Sequence, residues 1–214
     1  CRLAAGETVL NLGCGTGYTA ARLARRQVTV TASDINAQLL ERTGKRVRRA
    51  GVDKNVYRVL ADAHELPILT GRFDGVIVES LLIFCQDAGR VAAEMFRVLK
   101  PGGLLGINEV TFRQPPPDDL RRSLAESLGM QPRTEQEWVS LLRDAGFSGV
   151  QTALYSINLG EQFMSHLRID GLWTYLTAVV RNVRDAELMQ PFSNTALMRQ
   201  LFTNLGYGLY ICTK

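Results

Sequence analysis

Residues Val9 to Gly17 read Val-Leu-Asn-Leu-Gly-Cys-Gly-Thr-Gly, an apolar run that breaks into three glycines at alternate positions, and Asp34 closes the next apolar run. No other feature restricts the fold as much. A Val-Leu-x-Leu segment suits a strand buried on both faces, as in a parallel sheet. The glycines that follow permit positive φ and let a ligand lie against bare main chain. A helix expected over Tyr18 to Arg26 turns its unpaired N-terminal amides toward this loop, which favours a carboxylate or phosphate there. An acid at the close of the second strand is placed to accept hydrogen bonds from ribose hydroxyls. The pattern therefore predicts an α/β fold with a nucleoside-containing ligand.

Glycine spacing separates two ligand classes. The dinucleotide fingerprint is Gly-x-Gly-x-x-Gly, whereas Gly13, Gly15 and Gly17 run Gly-x-Gly-x-Gly and are followed by Tyr18. The nicotinamide reading weakens accordingly.

Apolar runs alternate with helical stretches, as repeated βα units of a doubly wound sheet require. Strands are expected at Thr8–Leu12, Val28–Ser33, Val56–Ala61, Phe73–Glu79 and Gly103–Glu109, with helices on both faces. Pro115-Pro116-Pro117 ends regular structure, and Asp118-Asp119 offers caps for a following helix. Thr134 and Glu137 form a capping-box pattern for a helix reaching Ala145, with Gly146 as its stop. Val150–Ile157 and Gly208–Thr213 read as the last two strands, and residues 158–207 between them carry helical periodicity.

At 214 residues and 46% hydrophobic, with no low-complexity run, the chain is read as a single domain, 1–214. No segment has the length of a membrane span, and a cytoplasmic protein is expected. Cys1, Cys14, Cys85 and Cys212 show no metal-ligand spacing, so neither a metal nor a disulfide framework is expected. The net charge of +4 and the cluster Lys45, Arg46, Arg48, Arg49 raise the question of nucleic acid. These cations close a helix over Asn36–Ala50, where they suit the C-terminal dipole and a solvated face, which argues against a nucleic-acid partner.

The chain resembles the class I S-adenosylmethionine-dependent methyltransferases of the small-molecule type that includes ubiquinone and sterol methyltransferases. Besides the glycine turn, the matching landmarks are Ser33-Asp34-Ile35, Ala61-Asp62-Ala63 and Arg97-Val98-Leu99-Lys100-Pro101-Gly102-Gly103. The resemblance implies a seven-stranded, mostly parallel sheet with an antiparallel last strand. It implies S-adenosylmethionine as cofactor, released as S-adenosylhomocysteine, and a small-molecule methyl acceptor carrying an O, N, S or C nucleophile. Cofactor positions carried over are Asn11, Gly13, Cys14, Gly15, Gly17, Asp34, Ile35, Asp62, Ala63 and Glu79. Asp62 matches the position that contacts the adenine amino group. Asn11 departs from the family, which usually has an acid there supporting the methionine ammonium; an amide accepts without charge attraction.

Glu79 and Ser80 face the expected methyl-transfer site, where nucleobase-amine methyltransferases often carry an Asn- or Asp-Pro-Pro-aromatic motif. Here the residues are Glu79-Ser80-Leu81-Leu82, with Phe84 behind, and no Pro-Cys nucleophile dipeptide occurs. Ser80, Leu82, Phe84, Trp173 and Tyr175 are candidates for the acceptor pocket; for Trp173 and Tyr175, as for Phe163 and Phe192, helical core packing is an equal alternative. Glu109 is a candidate general base or cation ligand, or a rim carboxylate satisfying nearby backbone, and His166 is a second candidate base. The family's tight final hairpin is replaced by the 158–207 insertion, expected to cap the rim and to hold substrate specificity. The chain opens at Cys1 just before the first strand, so upstream helices that cover the cofactor in the family are expected to be missing. Rival readings are a noncatalytic cofactor-binding or scaffold protein and an RNA methyltransferase, whose RNA binding would depend steeply on salt.

Overall fold

The computed structural model describes residues 3–156, 201 and 203–214. The first apolar run forms β1 (Thr8–Leu12), and the glycine turn feeds α1 (Tyr18–Ala24), then β2 (Thr29–Asp34) and α2 (Ala37–Arg49). Asn36 caps α2, its side chain accepting from the Gln38 and Leu39 amides. β3 (Val56–Leu60) and β4 (Phe73–Glu79) follow, then α3 (Ala88–Val98) and β5 (Leu99–Phe112). α4 (Asp118–Leu128), a two-residue β6 (Arg133–Thr134), α5 (Glu135–Asp144), β7 (Ser148–Ser156) and β8 (Leu205–Thr213) complete the order.

The strands form one sheet in the order β3-β2-β1-β4-β5-β8-β7, with β6 paired to β5. β1 to β5 run parallel, and β8 is antiparallel to both β5 and β7. Alternation along each strand sends successive side chains to opposite faces. Leu10, Leu12, Val76, Val78, Leu105 and Ile107 pack with Val91, Met95, Leu120, Leu124, Trp138 and Leu142 on the face covered by α3, α4 and α5. Val9, Val30 and Ala32 pack with Ala20, Ala21, Leu23, Leu40 and Val47 on the face covered by α1 and α2. The expected mostly parallel α/β sheet, with an antiparallel last strand, is present.

Several boundaries differ from expectation for physical reasons. β5 runs from Leu99 to Phe112 rather than Gly103 to Glu109, because Leu99 pairs with Phe73 of β4 at one end and β8 pairs as far as Phe112 opposite Leu205 at the other. The same ladder starts β8 at Leu205 instead of Gly208. β6 is an eighth strand, a short pairing of Arg133 and Thr134 with Thr111 and Phe112. At α4 the N-cap is Pro117, with no side-chain cap bond; Asp118 and Asp119 lie in the first turn, where carboxylates complement the helix dipole. The Thr134/Glu137 capping box of α5 is complete in both directions. Most of the 158–207 insertion, with His166, Trp173 and Tyr175, lies outside the described residues.

The chain departs from β1 toward β2 and β3 on one side and continues through β4 and β5 on the other. This reversal opens a crevice beyond the carboxyl ends of β1 and β4, the usual ligand position in an open α/β sheet. No helix among the described residues is long and apolar enough to cross a membrane.

Candidate functional site

The glycine turn is built at that crevice. Gly13, Gly15 and Gly17 have φ of 68°, 53° and 78°, conformations that L side chains adopt at a cost. The Cys14 amide donates to Ser33 O and the Gly17 amide to Cys14 O, both at 2.9 Å, which ties the turn to β2 and closes it. The glycines have different neighbours. A Cβ on Gly17 would stand 2.6 Å from Thr43 Cγ2 and one on Gly13 3.2 Å from Leu81, whereas nothing lies within 4 Å of a Cβ on Gly15. Gly17 thus allows α1 to approach α2, and Gly15 leaves bare backbone against open space.

Asp34 joins the two strand ends. Its Oδ2 accepts from the Gly15 amide and its Oδ1 from the Asn36 amide, each at 2.9 Å. Each oxygen has two lone pairs, so both retain accepting capacity for hydroxyls. Asn11, buried at the end of β1, has Oδ1 without a partner. Cys14 holds the turn through its backbone, while its thiol is buried near Thr43 and pushed up to about 11 by that burial.

Two residues that sequence reading passed over support the turn from α2. Thr43 Oγ1 donates to Gly15 O at 2.9 Å, and Arg46 Nε donates to Thr16 O at 2.9 Å, its guanidinium 5.9 Å from the Tyr18 ring centroid. Arg46 therefore does not belong wholly to a solvated cationic face, as its sequence neighbours suggested. The signal was helical periodicity: Leu40, Thr43 and Val47 mark the buried stripe of α2, with Arg46 beside it.

The remaining candidates line the same strand ends. Ile35 is 70% exposed beside Asp34. Asp62 Oδ1 accepts from the His64 amide and from its ring Nδ1, at 2.9 and 2.6 Å, which holds the carboxyl below its ordinary range; Ala63 is partly buried between them. Glu79 Oε2 accepts from Thr19 Oγ1 at 2.5 Å, linking β4 to the start of α1. Ser80 has φ of 51°, a strained turn directly after β4, and Phe84 is exposed.

Two expectations are corrected here. Leu82 is not a pocket residue: it is 1% exposed and packs in the main core, because the short turn Leu82–Phe84 folds it inward. Glu109 is not on the rim. Its carboxyl is wholly buried, Oε1 accepts from the Leu81 and Leu82 amides at 2.7 Å each, and Oε2 has no partner. Burial raises its pKa to about 7 against the lowering effect of those amides. It anchors the turn after β4, so the alternative of a carboxylate satisfying nearby backbone holds, though from within the core rather than on the rim.

Comparison with known proteins bears on this arrangement. Residues 9–103, spanning β1 to the start of β5 and the carboxyl ends of β1 to β4, match a methyltransferase domain family. The ubiquinone/menaquinone biosynthesis C-methyltransferase UbiE of Vibrio cholerae is 32% identical over 184 residues, covering 72% of this chain and 68% of that protein. The chain belongs to the class I S-adenosylmethionine-dependent methyltransferases. Another methyltransferase, GfsG of Streptomyces halstedii, is 39% identical over 112 residues, 52% of this chain and 40% of the relative. The chain thus spans well under half of GfsG. Among solved structures, the [4+2]-cyclase SpnF superposes with a TM-score of 0.78 at 24% identity, covering 99% of this chain and 76% of SpnF. That likeness concerns the fold: the methyltransferase scaffold is shared with a protein described as a cyclase.

Proposed function

We propose that this methyltransferase-family chain transfers methyl from S-adenosylmethionine to an O, N, S or C nucleophile of a small-molecule acceptor in the cytoplasm. The observation that carries the reading is the cradle at the end of β1: Gly15 faces open space at positive φ while its amide is tied to Asp34. The donor set fits the cofactor. Gly13, Gly15 and Gly17 offer bare backbone, Asp34 keeps lone pairs for ribose hydroxyls, Asp62 is proposed to contact the adenine amino group, and Ile35 and Ala63 are proposed to line the cofactor beside these acids. Asn11, with its unpartnered Oδ1, and Glu79, held by Thr19, flank the methionine end. Cys14 contributes by closing the turn.

When bound, the cofactor supplies a sulfonium-activated methyl group. The protein's task is then mainly to align the acceptor in line with that methyl, and alignment is worth roughly 7 to 11 kcal/mol in effective molarity. Ser80 and Phe84, just after β4, lie on the acceptor side, and residues 158–207, with His166, Trp173 and Tyr175, are proposed as the cap within a single domain. With Glu109 shut in the core, acceptors whose nucleophile deprotonates readily fit best. A small acceptor is favoured over RNA because Arg46, part of the cationic cluster, is engaged with the turn. Asn11 in place of an acid favours a second reading, a noncatalytic cofactor-binding protein.

The test is incubation with S-adenosylmethionine labelled in its methyl group and a panel of phenols, enols, amines and thiols. Label in an extractable small product, with an equal yield of S-adenosylhomocysteine, supports methyl transfer. Intact cofactor binding with no product above blank across the panel favours the second reading.

A further inference from the structure

A cavity of about 470 Å³ is lined by Asp118, Arg121, Arg122, Ala125, Gln131, Pro132 and Arg133. Its helical wall has a simple origin. Positions 118, 121, 122 and 125 fall on one face of α4 at i, i+3, i+4 and i+7, while Leu120 and Leu124 bury the opposite side in the core. The other wall is the segment leading into β6. Three arginines and one aspartate line the space, so it is cationic.

The guanidiniums are incompletely used. Arg121 reaches Glu137 Oε1 at 3.2 Å and lies 5.3 Å from the Phe112 ring centroid. Arg133 lies 5.5 Å from the Trp138 ring centroid, and its Nε is shut off from solvent without a hydrogen-bond partner. Arg122 is exposed and makes no ion pair among the described residues. Planar guanidiniums match carboxylate and phosphate oxygens in paired geometry.

Position ties this cavity to the reaction face. Arg133 is registered with Thr111 near the carboxyl end of β5, and the Gln131 amide donates to Ile83 O at 2.7 Å, in the turn that follows Ser80. The cofactor cradle lies at β1 and β2, and the cavity lies across β4 from it.

We propose that Arg121, Arg122 and Arg133 form a subsite for an anionic group, carboxylate or phosphate, on the methyl acceptor. The assignment to an acceptor rests on the methyl-transfer reading above; the anion site itself does not. The test follows the arginine Nε–Hε NMR signals while inorganic phosphate and, separately, acetate are titrated at constant ionic strength. Saturable shifts of the Arg122 and Arg133 signals are expected with at least one anion, and the tighter anion identifies the group. Arg122→Ala should weaken that binding by about tenfold or more while leaving the melting temperature and S-adenosylhomocysteine affinity unchanged. Arg133→Lys, which keeps charge but loses the fork, should weaken it as well. Shifts that never saturate, or binding unchanged in both variants, would overturn the site. Saturable anion binding in a chain that does not bind S-adenosylhomocysteine would overturn its assignment to a methyl acceptor.

Discussion

The Gly15 amide donates to Asp34 Oδ2 across 2.9 Å, so the bare turn after β1 and the acid after β2 form one hydrogen-bonded unit. On the proposed reading, cofactor affinity and the conformation of the glycine turn are coupled through this single carboxylate. Asp34→Ala should lower S-adenosylhomocysteine affinity by about 3 kcal/mol, roughly a hundredfold, through lost charge-assisted bonds. Asp34→Asn, which keeps one accepting oxygen, should lose less; calorimetric titration of both variants checks the order.

Gly17→Ala tests the seat of α1 on α2. The new methyl would meet Thr43 at 2.6 Å at a residue whose φ is +78°. A cost of about 2–3 kcal/mol in unfolding free energy is expected from the clash and the left-handed backbone together. Thr43→Val, which removes the bond to Gly15 O and the contact with the Cys14 thiol, should cost about 1 kcal/mol and weaken cofactor binding. Chemical denaturation of each variant measures both.

Leu82 and Phe84 are two residues apart and should behave oppositely. Leu82→Ala opens a hole in the core and should destabilise by about 2–5 kcal/mol. Phe84→Ala, at a side chain 55% exposed, should leave stability within about 0.5 kcal/mol and change KM for the acceptor. Thermal melts paired with kinetics on any acceptor found by screening distinguish the two.

Glu109 sets a pH dependence. Its carboxyl titrates near 7 in the folded chain because burial disfavours the ionised form, against an ordinary value of 4.5. A raised folded value means that the folded state binds the proton more tightly. Its stabilising contribution is therefore full below about pH 4.5 and is lost as the pH rises through about 7. Glu109→Gln should flatten that fall in stability between pH 5 and 7, while retaining an oxygen for the Leu81 and Leu82 amides. Urea midpoints across the range provide the measurement.

Local sequence signals carried the fold where the determinants were themselves local. β1 and β4 begin and end where apolar runs predict, and α5 starts at its capping box, because propensity, burial and caps agree there. β5 and β8 outran their predicted ends because cross-strand pairing, invisible in either segment alone, extends the ladder to Phe112 and Leu205. Gly13, Gly15, Gly17 and Asp34 were legible through backbone chemistry. Thr43 and Arg46 showed only as part of or beside a helical stripe, since a polar residue on a helix looks alike whether it meets solvent or a carbonyl 28 or 30 positions away. Leu82 and the depth of Glu109 show the same limit: backbone satisfaction by Glu109 was one of its readings, but neither residue signalled that the turn after β4 would fold onto β5 and bury both.

Calorimetric titration with S-adenosylhomocysteine, with NADH as the control ligand, tests most directly whether the β1 turn and Asp34 hold a methyl-donor cofactor. Saturable binding of S-adenosylhomocysteine alone, strongly weakened by Asp34→Ala, is the predicted result. Binding of NADH instead, or of S-adenosylhomocysteine with unchanged affinity in Asp34→Ala, would contradict it.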